Sequence, residues 1–214
     1  ESSAASDVYK RQDLLNSIDV CAYKISSGLL TNSPLLDKMG TYNKPIILST
    51  GMANEIEISN AVNLLRKKKV ENIALLHCVS LYPASFSTLN LNFINKLSKT
   101  HDLITGYSDH SKGSLACLAA VSIGAKIIEK HFTIDNSING ADNKTSMEPQ
   151  EFRDMCTKIR NIEVMLYKSN DKPHALELKL KNNRYRQVVA KRDIKKGEKM
   201  IVEKVNVMSG EGDA

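Results

Sequence analysis

The sequence predicts an α/β chain of serial βα units on a parallel sheet, arranged as part of a β/α barrel and followed by a small β-rich piece. Three observations carry this. Five apolar strand-like runs, at residues 20–25, 45–50, 72–79, 102–106 and 125–128, recur about every 27 residues with helical patterns between them. Every run ends in polar, chemically capable residues, and a parallel barrel gathers such ends on one face. Beyond Tyr185 the texture changes to short alternating pieces at 186–190 and 205–208 around a Lys-Lys-Gly-Glu turn.

Taken in order, residues 1–12 (ESSAASDVYKRQ) are small, polar and aperiodic. They are expected to be a non-native linker outside the fold, so that the chain begins within a longer gene product. The barrel part is expected over 13–168. In its second helical pattern Ile58, Ala61, Val62 and Leu65 fall on one face at i, i+3, i+4 and i+7. Phe93 and Leu97 mark a shorter helix. Residues 114–123 are Ala-rich and apolar nearly all round, which predicts a buried helix. Pro149 suits a first helical position, and Phe152, Met155, Ile159, Ile162 and Leu166 form the stripe of a helix over 149–167. Residues 169–183 read as a polar linker, and 184–214 as the start of a further domain.

Composition excludes several classes. No apolar stretch reaches the roughly 18 residues of a membrane span, and the N-terminal residues carry no signal-peptide pattern. The four cysteines, Cys21, Cys78, Cys117 and Cys156, include no CxxC pair and suit reduced thiols in a cytoplasmic protein. Cys78 and Cys117 lie in apolar runs and read as core fillers. The net charge of +6 is concentrated in residues 168–204, where Lys and Arg outnumber Asp and Glu 12 to 5 without interleaved aromatics. That is a solvated basic tail rather than a nucleic-acid surface.

The strand ends hold the candidate site. They read Lys24-Ile25-Ser26-Ser27-Gly28, Ser49-Thr50-Gly51, His77-Cys78-Val79-Ser80, Tyr107-Ser108-Asp109-His110 and Glu129-Lys130-His131. Lys24 with Ser26, Ser27, Ser49 and Ser108 offers the charge and hydroxyl donors that a phosphate requires. The same residues are also consistent with a snorkelling lysine and serines that begin loops. His110 and His131, on successive strand ends, form a candidate pair for a divalent ion such as Mn²⁺ or Zn²⁺ that keeps water or substrate oxygens. Asp109 and Glu129 stand beside them for proton exchange. His77 is a candidate third polar group, and His101 and His174 are expected to be inert.

The runs KPIILSTGM (44–52), LLHCVSLYPA (75–84), GYSDH (106–110), GAKIIEKHFT (124–133) and NGADNKTSMEP (139–149) together resemble the sialic acid synthase family. The resemblance implies the last five strands of a TIM-type (β/α)₈ barrel and the start of an antifreeze-like SAF domain. It implies condensation of phosphoenolpyruvate with an N-acetylmannosamine-type sugar to give N-acetylneuraminic acid. Legionaminic or pseudaminic acid synthesis is the alternative. It further implies a manganese ion on His110 and His131, phosphoenolpyruvate on Lys24, Ser27, Ser49 and Ser108, sugar contacts from Ser80, Tyr82 and Asp142, and Glu129 as an acid near the metal. The parent is expected to be a homodimer and the fragment inactive. Leu29, Asn143 and Met208 depart from the residues common in the family at those places. Leu29 and Met208 keep open a non-catalytic carbohydrate- or phosphate-binding barrel.

Overall fold

The computed structural model describes residues 13–138, 140, 142–143, 145–167 and 172–209, at 182, 183 and 209 without their side chains. The expected linker at 1–12 lies outside the described residues. The chain divides into two compact units, one up to Tyr167 and the other from Lys168. Among the described residues no helix is long and apolar enough to cross a membrane.

In the first unit, five parallel strands lie in sequence order: β1 (Tyr23–Ile25), β2 (Ile46–Ser49), β3 (Ile73–Cys78), β4 (Ile104–Asp109) and β5 (Ile128–Lys130). Helices α1 (Ser33–Gly40), α2 (Glu55–Lys67), α3 (Phe93–His101) and α4 (Leu115–Ser122) connect them, and α5 (Pro149–Leu166) follows β5. This is a five-stranded half-barrel of βα units. Residues 13–17 add a helical turn ahead of β1.

Alternation along the strands separates two faces. Tyr23, Ile25, Ile46, Leu48, Ile73 and Leu75 pack against Leu35, Leu36 and Met39 of α1 and Ile58, Val62 and Leu65 of α2. The stripe read from the sequence for α2 is therefore its buried face. Asn54 and Glu57 close a reciprocal capping box at its start, with bonds of 3.0 and 2.8 Å. The other face of the sheet is layered. At the N-terminal ends of the strands a cleft of about 400 Å³ is lined by Ala22, Ile47, Ala74, Ile104 and Ile127 among others. At the C-terminal ends the same face turns polar.

Several boundaries move relative to the sequence. β4 starts at Ile104 rather than 102, because Asp102 adopts φ +52° and ends α3 in a left-handed cap. β5 starts at Ile128 rather than 125 and extends to Lys130. Helix α1 is missing from the sequence reading, although Asn32 caps it by accepting from Leu35 N at 3.1 Å and Pro34 sits in its first turn. Leu166, assigned to the buried stripe of α5, is exposed, while Met155 and Ile159 are buried.

In the second unit, the stretch expected as linker contains α6 (Ala175–Arg184), capped by the His174 side chain. Two antiparallel strands follow, β6 (Arg186–Ala190) and β7 (Val205–Ser209). Between them Glu198 gathers Arg192 and Lys204, each at 2.7 Å, and the Lys195 N–H at 3.0 Å. These cations and the N–H hold its carboxyl down at about 2.

Two predictions follow from the packing. A Cβ on Gly106 would lie 2.3 Å from the Ile127 carbonyl of the neighbouring chain segment, so Gly106→Ala should destabilise the first unit by about 1–3 kcal/mol in urea unfolding. Because the Glu198 pKa is lowered on folding, the stabilisation it brings is complete above the ordinary glutamate value of 4.5 and is lost as pH falls toward 2. Amide-exchange protection in β6 and β7 should decline over that window, whereas in Glu198→Gln it should be weaker at neutral pH and flat.

Candidate functional site

At the C-terminal ends of the five strands lies a cleft of about 500 Å³ lined by residues from every strand end. Lys24, Ser49, Ser108 and Glu129 reach it from strands, with Ser27, Ser80, Tyr82, His110 and His131 from the loops just beyond. A larger cleft of about 890 Å³ runs between α1 and α2. It is walled by Leu36, Leu64 and the surface groups of α2 and brings no comparable set of reactive side chains together.

One wall suits an anion. Lys24 Nζ lies 3.3 Å from Glu129 Oε2, both side chains being about one-third to two-fifths exposed. That pair is partly solvated and exchangeable. Ser108 Oγ donates to Glu129 Oε1 at 2.6 Å. Ser27 Oγ accepts the Gly51 N–H at 3.0 Å and is also a hydrogen-bond partner of the Cys78 thiol. Ser49 Oγ is buried at the cleft wall and has no hydrogen-bond partner among the described residues. A buried hydroxyl left unpaired costs about 1–3 kcal/mol, so it marks a place where a ligand atom would be welcome. Gly51 holds the wall together. A Cβ there would meet Ser80 Oγ at 2.5 Å, Ser27 Oγ at 2.8 Å and Cys78 Sγ at 3.1 Å.

The opposite wall carries the imidazoles. The His110 and His131 ring centres are 5.2 Å apart. Two imidazoles sharing one ion through bonds of about 2 Å have centres about 5 Å apart, so the spacing fits a shared divalent cation. His110 Nδ1 faces the Val79 carbonyl at 2.8 Å. Donation there fixes the tautomer and leaves Nε2 as the free lone pair, the usual arrangement of a ligating histidine. Tyr82 stacks beside His110 at 4.1 Å and meets the edge of His131 at 5.7 Å. His131 Nδ1 is 3.7 Å from Asp142 Oδ2, which brings Asp142 to this wall. Among the described residues no group of three or more His, Cys, Asp or Glu is arranged around one point for an ion. An ion here would therefore have two imidazoles and open positions.

Cys78 forms the floor between the walls, 3.8 Å from His110 Nδ1 and 3.9 Å from Ser80 Oγ. Burial opposes charge on both groups. Their mutual contact, with Val79 O and the serines, outweighs it and holds His110 above and Cys78 below its ordinary pKa. Cys78 is thus buried but part of the cleft, not only a core filler. Its signal in the sequence is its strand position, two residues after Leu76 on an alternating strand.

Two residues expected near the site lie elsewhere. Asp109 is on the helix-facing side of β4, wholly buried, and bonded to Lys130 Nζ at 2.8 Å. Strand alternation turns it away while Ser108 and His110 point inward. Burial would raise its pKa, but Lys130 and Ser111 hold it below the usual carboxylate value. His77 also points outward. Its Nε2 lies 2.6 Å from the Leu89 carbonyl, against Phe93 and Tyr107, and burial lowers its pKa. Met52, unflagged by sequence, stands 76% exposed at the cleft with φ +65°. Leu29, in the turn Ser27–Leu29, packs on the core beneath α1 rather than in the cleft.

Residues 3–171 match the NeuB family. The chain is 48% identical over 188 residues to N,N'-diacetyllegionaminic acid synthase of Campylobacter jejuni, covering 87% of this chain and 56% of that protein. A pseudaminic acid synthase of the same organism is 36% identical over 195 residues, covering 90% and 56%. The crystal structure of N-acetylneuraminic acid synthetase from Leptospira borgpetersenii, in complex with citrate, superposes with a TM-score of 0.74 at 38% identity, covering 80% of this chain and 61% of that one. The chain thus spans little more than half the length of the curated relatives it matches.

Since Ser49 Oγ has no partner to lose, Ser49→Ala should leave the urea unfolding midpoint unchanged or raise it by up to about 1 kcal/mol equivalent. A loss of stability would mean that the hydroxyl is already satisfied in the folded chain.

Proposed function

We propose that this chain, which belongs to the NeuB family, carries the metal and phosphate corner of a nonulosonic acid synthase. The parent protein joins phosphoenolpyruvate to the open aldehyde form of an N-acetylated hexosamine-type sugar, with water consumed and phosphate released. The observation that supports this best is the pairing of an anion wall, with Lys24 and the unpartnered Ser49 hydroxyl, and an imidazole pair in one cleft. The names and identities of the relatives favour a legionaminic- or pseudaminic-type product over N-acetylneuraminic acid.

In this reading Lys24 leaves Glu129 and pairs with phosphoenolpyruvate, while the Ser27 and Ser49 hydroxyls donate to it. Ser108 already gives its hydrogen to Glu129. It meets the same anion as a donor only after rotating away, so Ser108 and Glu129 act as one unit. A divalent ion such as Mn²⁺ on His110 and His131 supplies Lewis-acid polarisation of the acceptor aldehyde. Tyr82, Ser80 and Asp142, at the imidazole side, orient the sugar. The enol carbon bonds to the aldehyde carbon, water adds to the carbon that bore the phosphate, and the bond from that carbon to the phosphate oxygen breaks; of the water's two protons one ends on the new sugar hydroxyl and the other leaves with phosphate. Glu129 receives the proton of that water. The hairpin of β6 and β7 is read as the beginning of a SAF domain, and the parent as a homodimer.

Calorimetry on this chain with phosphoenolpyruvate should show binding that Ser49→Ala weakens about 10- to 100-fold, the worth of a hydrogen bond to a charged group. Phosphate release should be measured on the protein at the relatives' full length, with Mn²⁺ and N-acetylated aldoses of the legionaminic and pseudaminic series. His131→Ala should lower the rate by about 1000-fold or more. Ligand binding without turnover for every such sugar would replace this reading with that of a non-catalytic binding barrel.

A further inference from the structure

Behind the cleft lies a charged pair that the chemistry above does not use. Asp109 and Lys130 are both 0% exposed and are direct partners in the parallel ladder of β4 and β5. Their polar atoms are spent on the residues around His110. Asp109 Oδ1 accepts the Ser111 N–H at 2.8 Å and the Tyr107 hydroxyl at 3.0 Å. Asp109 Oδ2 accepts from Lys130 at 2.8 Å and from the Cys117 thiol of α4 at 3.3 Å. The Lys130 ammonium also donates to the Ser111 carbonyl. The chain is therefore gripped immediately before and immediately after His110, and both grips end on β5.

Stability alone does not account for such a pair. Burying two charges costs several kcal/mol each, and well-packed apolar residues of similar volume are often as stable or more so. Placement does account for it. Ser108 and His110 flank Asp109, Glu129 and His131 flank Lys130, and strand alternation turns all four flanking residues to the cleft. We propose that Asp109 and Lys130 are positioning residues: a buried latch that locks the turn at His110 onto β5 and thereby sets the spacing of the two imidazoles. Neither side chain reaches a bound ion or substrate. The latch acts on the metal site through the backbone of residues 109–111. This rests on the reading of His110 and His131 as a cation pair.

The test uses this chain and three variants: Asp109→Asn, Lys130→Met, and the double variant Asp109→Leu/Lys130→Met, which replaces the ion pair with packed apolar groups. Unfolding midpoints, Mn²⁺ affinity by calorimetry and the NMR ring signals of His110 without metal are measured on each. The double variant should keep a cooperative unfolding transition near that of the wild type. Its Mn²⁺ affinity should fall 10- to 100-fold, the usual cost of losing an outer partner of a metal site, and its His110 ring signals should broaden or split. A folded double variant that binds Mn²⁺ within twofold of wild type, with one sharp His110 signal, overturns the latch. If no variant folds, amide exchange on the wild type decides: slow exchange of the Ser111 amide is expected, and rapid exchange overturns the proposal. A wild-type chain that binds no Mn²⁺ overturns the cation reading instead, and the ring signals alone then judge the latch.

Discussion

Everything at the cleft depends on the parallel pairing of β4 with β5, in which Ser108 lies opposite Glu129 and Asp109 opposite Lys130. A slip of β5 by one residue against β4 would turn Glu129 and His131 toward the helices and Lys130 toward the cleft, breaking both polar pairs. Away from their C-terminal ends β2 and β3 carry apolar residues on both faces, so there they support this register more than they specify it. Polar pairs specify it on both faces. Gly106 contributes by letting the Ile127 carbonyl approach where any side chain would stand.

That pairing also sets the electrostatics. Glu129 is shared between the Lys24 ammonium and the Ser108 hydroxyl, so the charges of the anion wall balance each other. An incoming anion competes for Lys24 rather than finding a bare cation. Because the pair is partly exposed, the exchange costs little. By contrast, Asp109 and Lys130 are out of water and have no such freedom. Neighbours on β5 thus belong to different pairs, Glu129 to an exchangeable one with Lys24 of β1 at the cleft and Lys130 to a fixed one with Asp109 of β4 facing the helices.

Much of this was legible in the chain. The period of about 27 residues announced the βα units, and the i, i+3, i+4 spacing of Ile58, Ala61, Val62 and Leu65 located the face of α2 that is buried. The residue types at the strand ends pointed to the cleft. What was not legible was direction. Asp109 and His77 have suitable chemistry at suitable places, yet each stands on the helix-facing side, since sequence proximity to a strand end does not say which way a side chain alternates. Boundaries were hidden for a similar reason. The left-handed cap at Asp102 and the short α6 depend on local geometry that composition blurs. The native environment of Cys78 emerges only when three strand ends converge.

Gly51 has a consequence for how such a cleft can diversify. Its α-carbon sits where the turns after β1, β2 and β3 touch, through Ser27, its own loop, and Cys78 with Ser80. Those three turns form one mechanical joint, and a change in the length or bulk of any of them is felt by the other two. Tyr82 and Asp142 stand at the imidazole side of the cleft, against His110 and His131. Laboratory evolution of the cleft would therefore find few tolerated substitutions at Gly51 and in the turns that meet there.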